Sequence, residues 1–353
     1  MANVLEGIRI LDFGRYIAGP FCGMLLADMG AEVIRIEKID GSEDRYTIPV
    51  GKGADGEYSV GAMFLQMNRN KLGLTLNPMK PEGREIVHKL VATADVVIAN
   101  LPAPALKTMG LDYESLSAIK SDIILTAVSA FGSTGPYSDR VGFDGVAAAM
   151  SGMMHLTGNP DKPMKAYTPW VDYGTASGAA FGTLAALIHR DKTGEGQVVE
   201  GTLLGTALAF NNALLIEQAM IQPDRIGTGN RGQIAAPSDA FYCKDDEWII
   251  VQVIGQPAYF DKLLQVPILN LMVPAFVMLG AVFSRWTVLE KAAGLRWVQV
   301  GGWCLAFLLI RPGLVDHIAH RELAPANGIV AIHLDPRTQH RKRSTQQQNE
   351  NQH

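Results

Sequence analysis

The sequence predicts an α/β protein with a doubly wound, mostly parallel sheet covered by helices, and three features of residues 1–202 predict it. Apolar runs of strand length alternate with longer helical stretches. Glycine and proline punctuate the joins. The first strand, turn, helix and second strand all fall within residues 8–38, which is the spacing of a βαβ unit.

Taken in order, IRILDF (8–13) is a short apolar run stopped by Gly14, and Gly19-Pro20 heads the helical stretch FCGMLLADMG, which Gly30 closes. AEVIRIEK follows as the second strand. Further units pair a helix over PEGREIVHKLVATA with the strand ADVVIAN, and a helical patch around LDYESLSAIK with the strand DIILTAVSAFG. A long helix of small residues, TASGAAFGTLAALIHR, is expected to begin near Thr175 and to stop at KTGEG. The strand QVVEG then leads into one helix over LLGTALAFNNALLIEQAM, and FYCKDDEWIIVQVI reads as a hairpin. The pattern is Rossmann-like over residues 1–200, with 201–262 as a connecting helix and the start of a smaller domain.

Beyond Lys262 the character changes. Residues 263–283 carry no charge but contain two prolines, and pass the length test for a bilayer span, so membrane contact there is an expectation. We take 263–340 as an unassigned apolar segment and the glutamine-rich 341–353 as a disordered polar tail.

A net charge of -4, from 31 basic and 35 acidic residues, gives no broad basic field and excludes nucleic acid as an expected partner. Cys22, Cys243 and Cys304 are far apart and form no CxxC pair, which argues against a disulfide framework or zinc site and fits a reducing compartment. The N-terminal residues show no basic flank followed by an apolar run, so the cytoplasm is the expected location. Neither GxGxxG, Walker A, GxSxG nor an HxxxH pair is present, and no metal site is expected.

Several residues are candidates for chemistry. Asp172 lies at the expected start of the long helix, where the dipole would keep its carboxylate ionised; it reads either as an N-cap or as a nucleophile toward a thioester. Asp144, before a run of small apolar residues, is a second candidate acid and equally a helix cap. Lys38 follows the second strand and can reach a phosphate, or simply be a solvated surface lysine. Arg69 and Lys71 form a basic pair expected in a loop.

Beyond these single residues, six blocks resemble the class III CoA-transferase family: LEGIRILDFGRYIAGP, LADMGAEVIRIEK, NRNKLGLTLNPMKPEGRE, ADVVIANLPAPALKTMGLDYE, SAFGSTGPYSDRVGFD and WVDYGTASGAAFGTLAALIHRDKTGEGQVVE. They occur in the family's order across residues 1–262. The resemblance implies that Asp172 is the catalytic aspartate, forming an acyl anhydride and then an aspartyl-CoA thioester. It further implies that Lys38 and Lys71 meet coenzyme A, with Arg69 beside Lys71 as a second cation suited to a phosphate, that Asn100 and Leu101 line its arm, and that Lys107 stands beside a basic position of the family held here by Thr108. No cofactor is permanently bound; acyl-CoA and a carboxylic acid are the substrates.

The family also contains racemases, which resemble one another in a Gly-His-Asp run. Here the run is Gly142-Phe143-Asp144, and phenylalanine exchanges no proton, so transferase is the expected activity. Ile17, Phe143, Asp144 and Trp170 are the expected pocket residues, and Ile17, Phe143 and Trp170 point to an acyl group more apolar than formyl. Family chains go on to complete a small domain and interlock as homodimers. Residues 263–353 do not match that pattern, so the second domain is expected to be incomplete or altered, and an inactive CoA-binding or membrane-attached remnant is the competing expectation.

Overall fold

In the computed structural model, residues 3–253 are described, apart from 48, 54, 55, 57, 233–236 and 243–245. The chain divides into two compact units, Met1–Gly227 and Thr228–His353. The division thus falls inside the stretch 201–262 expected to connect two domains. The segments 263–340 and 341–353, including the apolar run 263–283, lie outside the described residues, as do Cys243 and Cys304. Among the described residues, no helix is long and apolar enough to cross a membrane.

The first unit runs β1 (Arg9–Asp12), α1 (Ala18–Asp28), β2 (Glu32–Glu37), a 3-10 turn (Glu43–Tyr46), β3 (Val50–Lys52), β4 (Tyr58–Gly61), α2 (Ala62–Met67), β5 (Lys71–Thr75) and α3 (Pro81–Val91). It continues through β6 (Val96–Ala99), α4 (Ala103–Met109), α5 (Tyr113–Ile119), β7 (Ile124–Ser129), α6 (Asp144–Met150) and α7 (Met153–Thr157). Finally come α8 (Trp170–Thr193), β8 (Gln197–Thr202), α9 (Leu203–Phe210) and α10 (Asn212–Ile221). The described part of the second unit is an antiparallel hairpin of β9 (Ser238–Tyr242) and β10 (Trp248–Gln252), as FYCKDDEWIIVQVI suggests.

Six strands form one sheet in the order β5-β2-β1-β6-β7-β8, and every neighbouring pair in it is parallel. Alternation along the strands makes it doubly wound. Ile10, Val96, Ile98 and Ile124 face one way and pack with Cys22 and Leu26 of α1 and Ala176, Ala179 and Ala180 of α8. Leu11, Val97, Ala99 and Leu125 face the other way, against Val87 and Val91 of α3, Leu106 of α4 and Leu116 of α5. With period-two side chains and helices on both faces, strand residues on either side are buried, which explains the near-continuous apolar runs.

Two expectations are corrected. The stretch 203–220 is not one helix: Asn211 breaks it, its φ of -98° and ψ of 4° lying off the helical values while its carboxamide donates to the Ser151 carbonyl at 2.8 Å. The long helix begins at Trp170 rather than near Thr175. Its end is as expected, with Gly194 in the left-handed conformation (φ 76°) that a glycine adopts without strain.

Candidate active site

The connection from β1 runs to β2 on one side, while β6 pairs with β1 on the other, so the loops leaving the carboxyl ends of β1 and β6 diverge. In an open parallel sheet this reversal opens a crevice where ligands bind. A cavity of about 80 Å³ opens there, with Tyr16, Ile17, Asn100, Ser129, Phe143 and Asp172 in its wall. Four residues placed by sequence, Ile17, Asn100, Phe143 and Asp172, therefore meet at one place.

The turn after β1 is held by side chains from four directions. Gly14 N–H donates to Asp12 Oδ1 at 2.7 Å, and Arg35 donates to the Gly14 carbonyl at 3.1 Å. Asn100 clasps the next residue from both sides: Arg15 N–H donates to Oδ1, and Nδ2 donates to the Arg15 carbonyl, each at 2.7 Å. Tyr16 N–H donates to Asp44 Oδ2 at 3.0 Å. Tyr16 needs this hold, because its φ of 61° is left-handed, a conformation costing a non-glycine residue on the order of 1 kcal/mol. Glycine at position 19 lets α1 begin close by, since a Cβ there would sit 3.1 Å from the Asn100 carboxamide.

Beneath the turn lies a buried ionic network. Arg35 and Asp44, 2% and 1% exposed, pair at 2.9 Å. Lys71 donates to Asp12 Oδ2 at 2.7 Å, to the Pro20 carbonyl at 2.7 Å and to Asn68 Oδ1 at 3.1 Å, so all its protons are used and its ammonium is sealed from solvent. Burial lowers its pKa, with Asp12 acting against that. The expectation of Lys71 in a loop is thereby corrected: it is the first residue of β5 and braces the turn from below.

Asp172 is the third residue of α8, and the cap it was expected to provide comes from elsewhere. Asp144 Oδ2 accepts the Val171 N–H at 2.9 Å and the Asp172 N–H at 3.4 Å, reaching across from the first turn of α6. That frees the Asp172 side chain, which makes no cap and lies in the cavity wall. The expected permanent ionisation is corrected too. Burial, and then the neighbouring Asp144 carboxylate, push the Asp172 carboxyl up to about 7 against the pull of Lys165. Trp170 stacks on Phe210 at 5.7 Å, and Phe21 meets the Tyr173 ring edge-on at 4.9 Å, fixing the start of α8 between α9 and α1.

The basic candidates separate. Lys38 is exposed just past β2 and bonds Glu43 at 2.7 Å; Arg15 pairs with the same carboxylate at 2.9 Å, and Lys38 first among these contacts holds Glu43 down near pKa 2. Arg69 is on the opposite edge. It pairs with Asp28, the last residue of α1, and α1 is about 16 Å long and runs back from the site. Leu101 follows Asn100 and packs into the second core cluster, and Lys107 lies exposed in the last turn of α4.

Sequence reasoning missed Tyr16, Arg15, Asp44 and Lys165. A left-handed tyrosine has no sequence signal, and Asp44 looked like any residue of an acidic turn. Among the described residues, no group of three or more histidine, cysteine or acidic side chains could hold a metal.

Comparison with known proteins decides the family. The model for CoA-transferase family III matches residues 5–269, past the Lys262 at which recognisable blocks end. The chain belongs to CoA-transferase family III. This family III chain is 41% identical over 219 residues to the succinate–glutarate CoA-transferase of Agrobacterium fabrum, covering 61% of this chain and 54% of that one. It is 35% identical over 267 residues to the succinyl-CoA–D-citramalate CoA-transferase of Chloroflexus aurantiacus, covering 72% and 65%. Among solved structures it superposes on a CaiB/BaiF family protein from Brucella suis with a TM-score of 0.68 and 34% identity, over 75% of this chain and 70% of that chain. The chain thus spans 54% and 65% of the length of the two curated relatives.

Proposed function

We propose that this protein moves coenzyme A from an acyl-CoA to a carboxylic acid, with Asp172 as the covalent nucleophile. The observation that carries the reading is the Asp172 carboxyl in the wall of an open cavity at the switch point, freed from capping by Asp144. In the first step an Asp172 oxygen attacks the thioester carbonyl and the CoA thiolate leaves, giving a mixed anhydride. The thiolate then attacks the aspartyl carbonyl and releases the donor acid as a carboxylate. An acceptor carboxylate reverses the sequence: it displaces the thiolate from the aspartyl thioester, and the thiolate takes the new acyl group, returning Asp172 as a carboxylate. No net proton is consumed. One hard exchange becomes several easier ones.

Phe143 in the cavity wall supports transfer over racemisation, which needs a proton donor and acceptor at the α-carbon. Lys38, close to Arg15 and Glu43 at the carboxyl edge, is our candidate for the nucleotide of CoA, and Asn100 with Leu101 for its arm. Lys107 is kept as an outer contact; Arg69 and Lys71 are not, for the geometric reasons above. The reaction is proposed to use no resident cofactor, in a homodimer of the family's kind.

Succinyl-CoA, the donor in the name of the Chloroflexus relative, is the donor to assay first. Incubated with it, the protein is expected to yield an Asp172 adduct trapped by hydroxylamine or borohydride and located by peptide mass. Absence of any adduct, together with unchanged turnover in Asp172→Ala, would remove the proposal. CoA binding without an adduct would instead favour a protein that binds CoA and performs no transfer.

A further inference from the structure

Near Asp172 the cations are nearly all spoken for: Arg15 and Lys38 share Glu43, Arg35 holds Asp44, and Lys71 holds Asp12. Lys165 differs. It is exposed and has no hydrogen-bond or ion-pair partner among the described residues. Its stem crosses the first turn of α6, where a Cβ on Gly145 would meet Lys165 Cε at 3.5 Å and Cδ at 3.6 Å. The residue before that glycine is Asp144, whose carboxylate touches the backbone of Val171 and Asp172. The lysine stem thus rests on the first turn of α6, whose Asp144 caps α8 at Asp172, and its charge acts on the Asp172 carboxyl.

A free cation beside a nucleophilic carboxylate asks for an anion on the substrate. CoA's own phosphates do not supply it, because the pantetheine arm separates them from the thioester carbon. The acyl group must carry it. The cavity wall at Asp172 sets apolar Ile17 and Phe143 beside Tyr16, Asn100 and Ser129, Lys165 standing outside it, and the volume of about 80 Å³ holds only a short chain. We propose that Lys165 is a specificity-determining residue that grips the distal carboxylate of a short dicarboxylic acyl group while its other carboxyl reacts at Asp172. The assignment rests on the transferase reading above, and adds to it the substrate class and the residue that selects it.

The test uses the full chain as wild type, Lys165→Met and Lys165→Arg, with succinate and glutarate set against butyrate and valerate. Two readouts are taken: equilibrium binding of each acid by titration calorimetry, and kcat/KM for CoA transfer to it. Loss of one charge-assisted contact is expected to weaken both readouts about ten- to hundredfold for the dicarboxylates in Lys165→Met. Read at pH 9, where Asp172 is ionised with or without Lys165, the monocarboxylates are expected to be unaffected, and Lys165→Arg to recover most of the loss. Equal loss for both classes would overturn the proposal, since the lysine would then only be tuning Asp172; so would no loss for either. If wild type transfers CoA to no acid while dicarboxylate binding still depends on Lys165, the transferase reading falls and the lysine's assignment stands. If binding is also indifferent to Lys165, the assignment falls.

Discussion

At the scale of single residues, Asp172 carries the most consequence, because its carboxyl titrates in the working range of pH. In the proposed reaction the group attacks only as the carboxylate, and burial with Asp144 raises its pKa from 3.8 to about 7. Transfer rate is therefore expected to climb with pH through about 7 and then level off, as a kcat/KM profile measured from pH 5 to 9 would show; a flat profile would contradict the assignment. Stability runs the opposite way. Between pH 4 and 7 the folded chain binds the proton that the unfolded chain has released, so this group's contribution to stability falls as pH rises through that window. Asp172→Asn is expected to cut turnover by at least ~10³-fold, yet raise the melting temperature at pH 8 by a few degrees, since the uncharged amide avoids the cost of a buried carboxylate. A thermal melt at pH 5 and pH 8 checks the sign.

At the scale of elements, the start of α8 and the turn after β1 are both positioned by partners distant in sequence, which is why they were only half legible there. The helix was readable from its small residues, but not its first turn, because the capping carboxylate comes from Asp144, 28 residues before Asp172. Lys71 looked like a loop cation because its partners, Asp12 and the Pro20 carbonyl, are 59 and 51 residues away. The central strands β1, β6 and β7 read correctly because burial on both faces leaves a nearly unbroken apolar run, a signal held within the segment itself. Asp144→Asn is expected to preserve the cap through its amide oxygen and to remove the neighbouring charge, moving the acid limb of the kcat/KM profile to lower pH. Asp144→Ala loses the cap as well, and should cost about 1 kcal/mol more in urea unfolding. In the turn after β1, Asp44→Ala would leave Arg35 buried without its counter-ion and release the Tyr16 N–H. Destabilisation of about 3–5 kcal/mol is expected. Urea midpoints that barely move would mean water reaches Arg35 and the network is not sealed.

For the whole molecule, the site belongs to one unit of the chain. Crevice, brace and Asp172 all come from residues 12–203, and the buried members of the two apolar clusters that hold the sheet end at Ala207 and Leu125. Cysteine 22 lies in the first cluster, where burial pushes its thiol up to about 12 and leaves it a packing group rather than a second nucleophile. Among the described residues no member of either cluster lies beyond residue 207, so the described core of the first unit is built from its own residues. A chain ended after Gly227 keeps every contact of the Asp12, Arg35, Asp44 and Lys71 network, the Asp144 cap on α8 and the stacking of Trp170 on Phe210. Such a chain is expected to unfold in a single cooperative transition, with α-helical circular dichroism intact and a urea midpoint close to that of the full-length protein. Broad, gradual unfolding would show that the apolar surface left exposed on α10, Ile216, Met220 and Ile221 among it, needs the rest of the chain to keep the sheet folded.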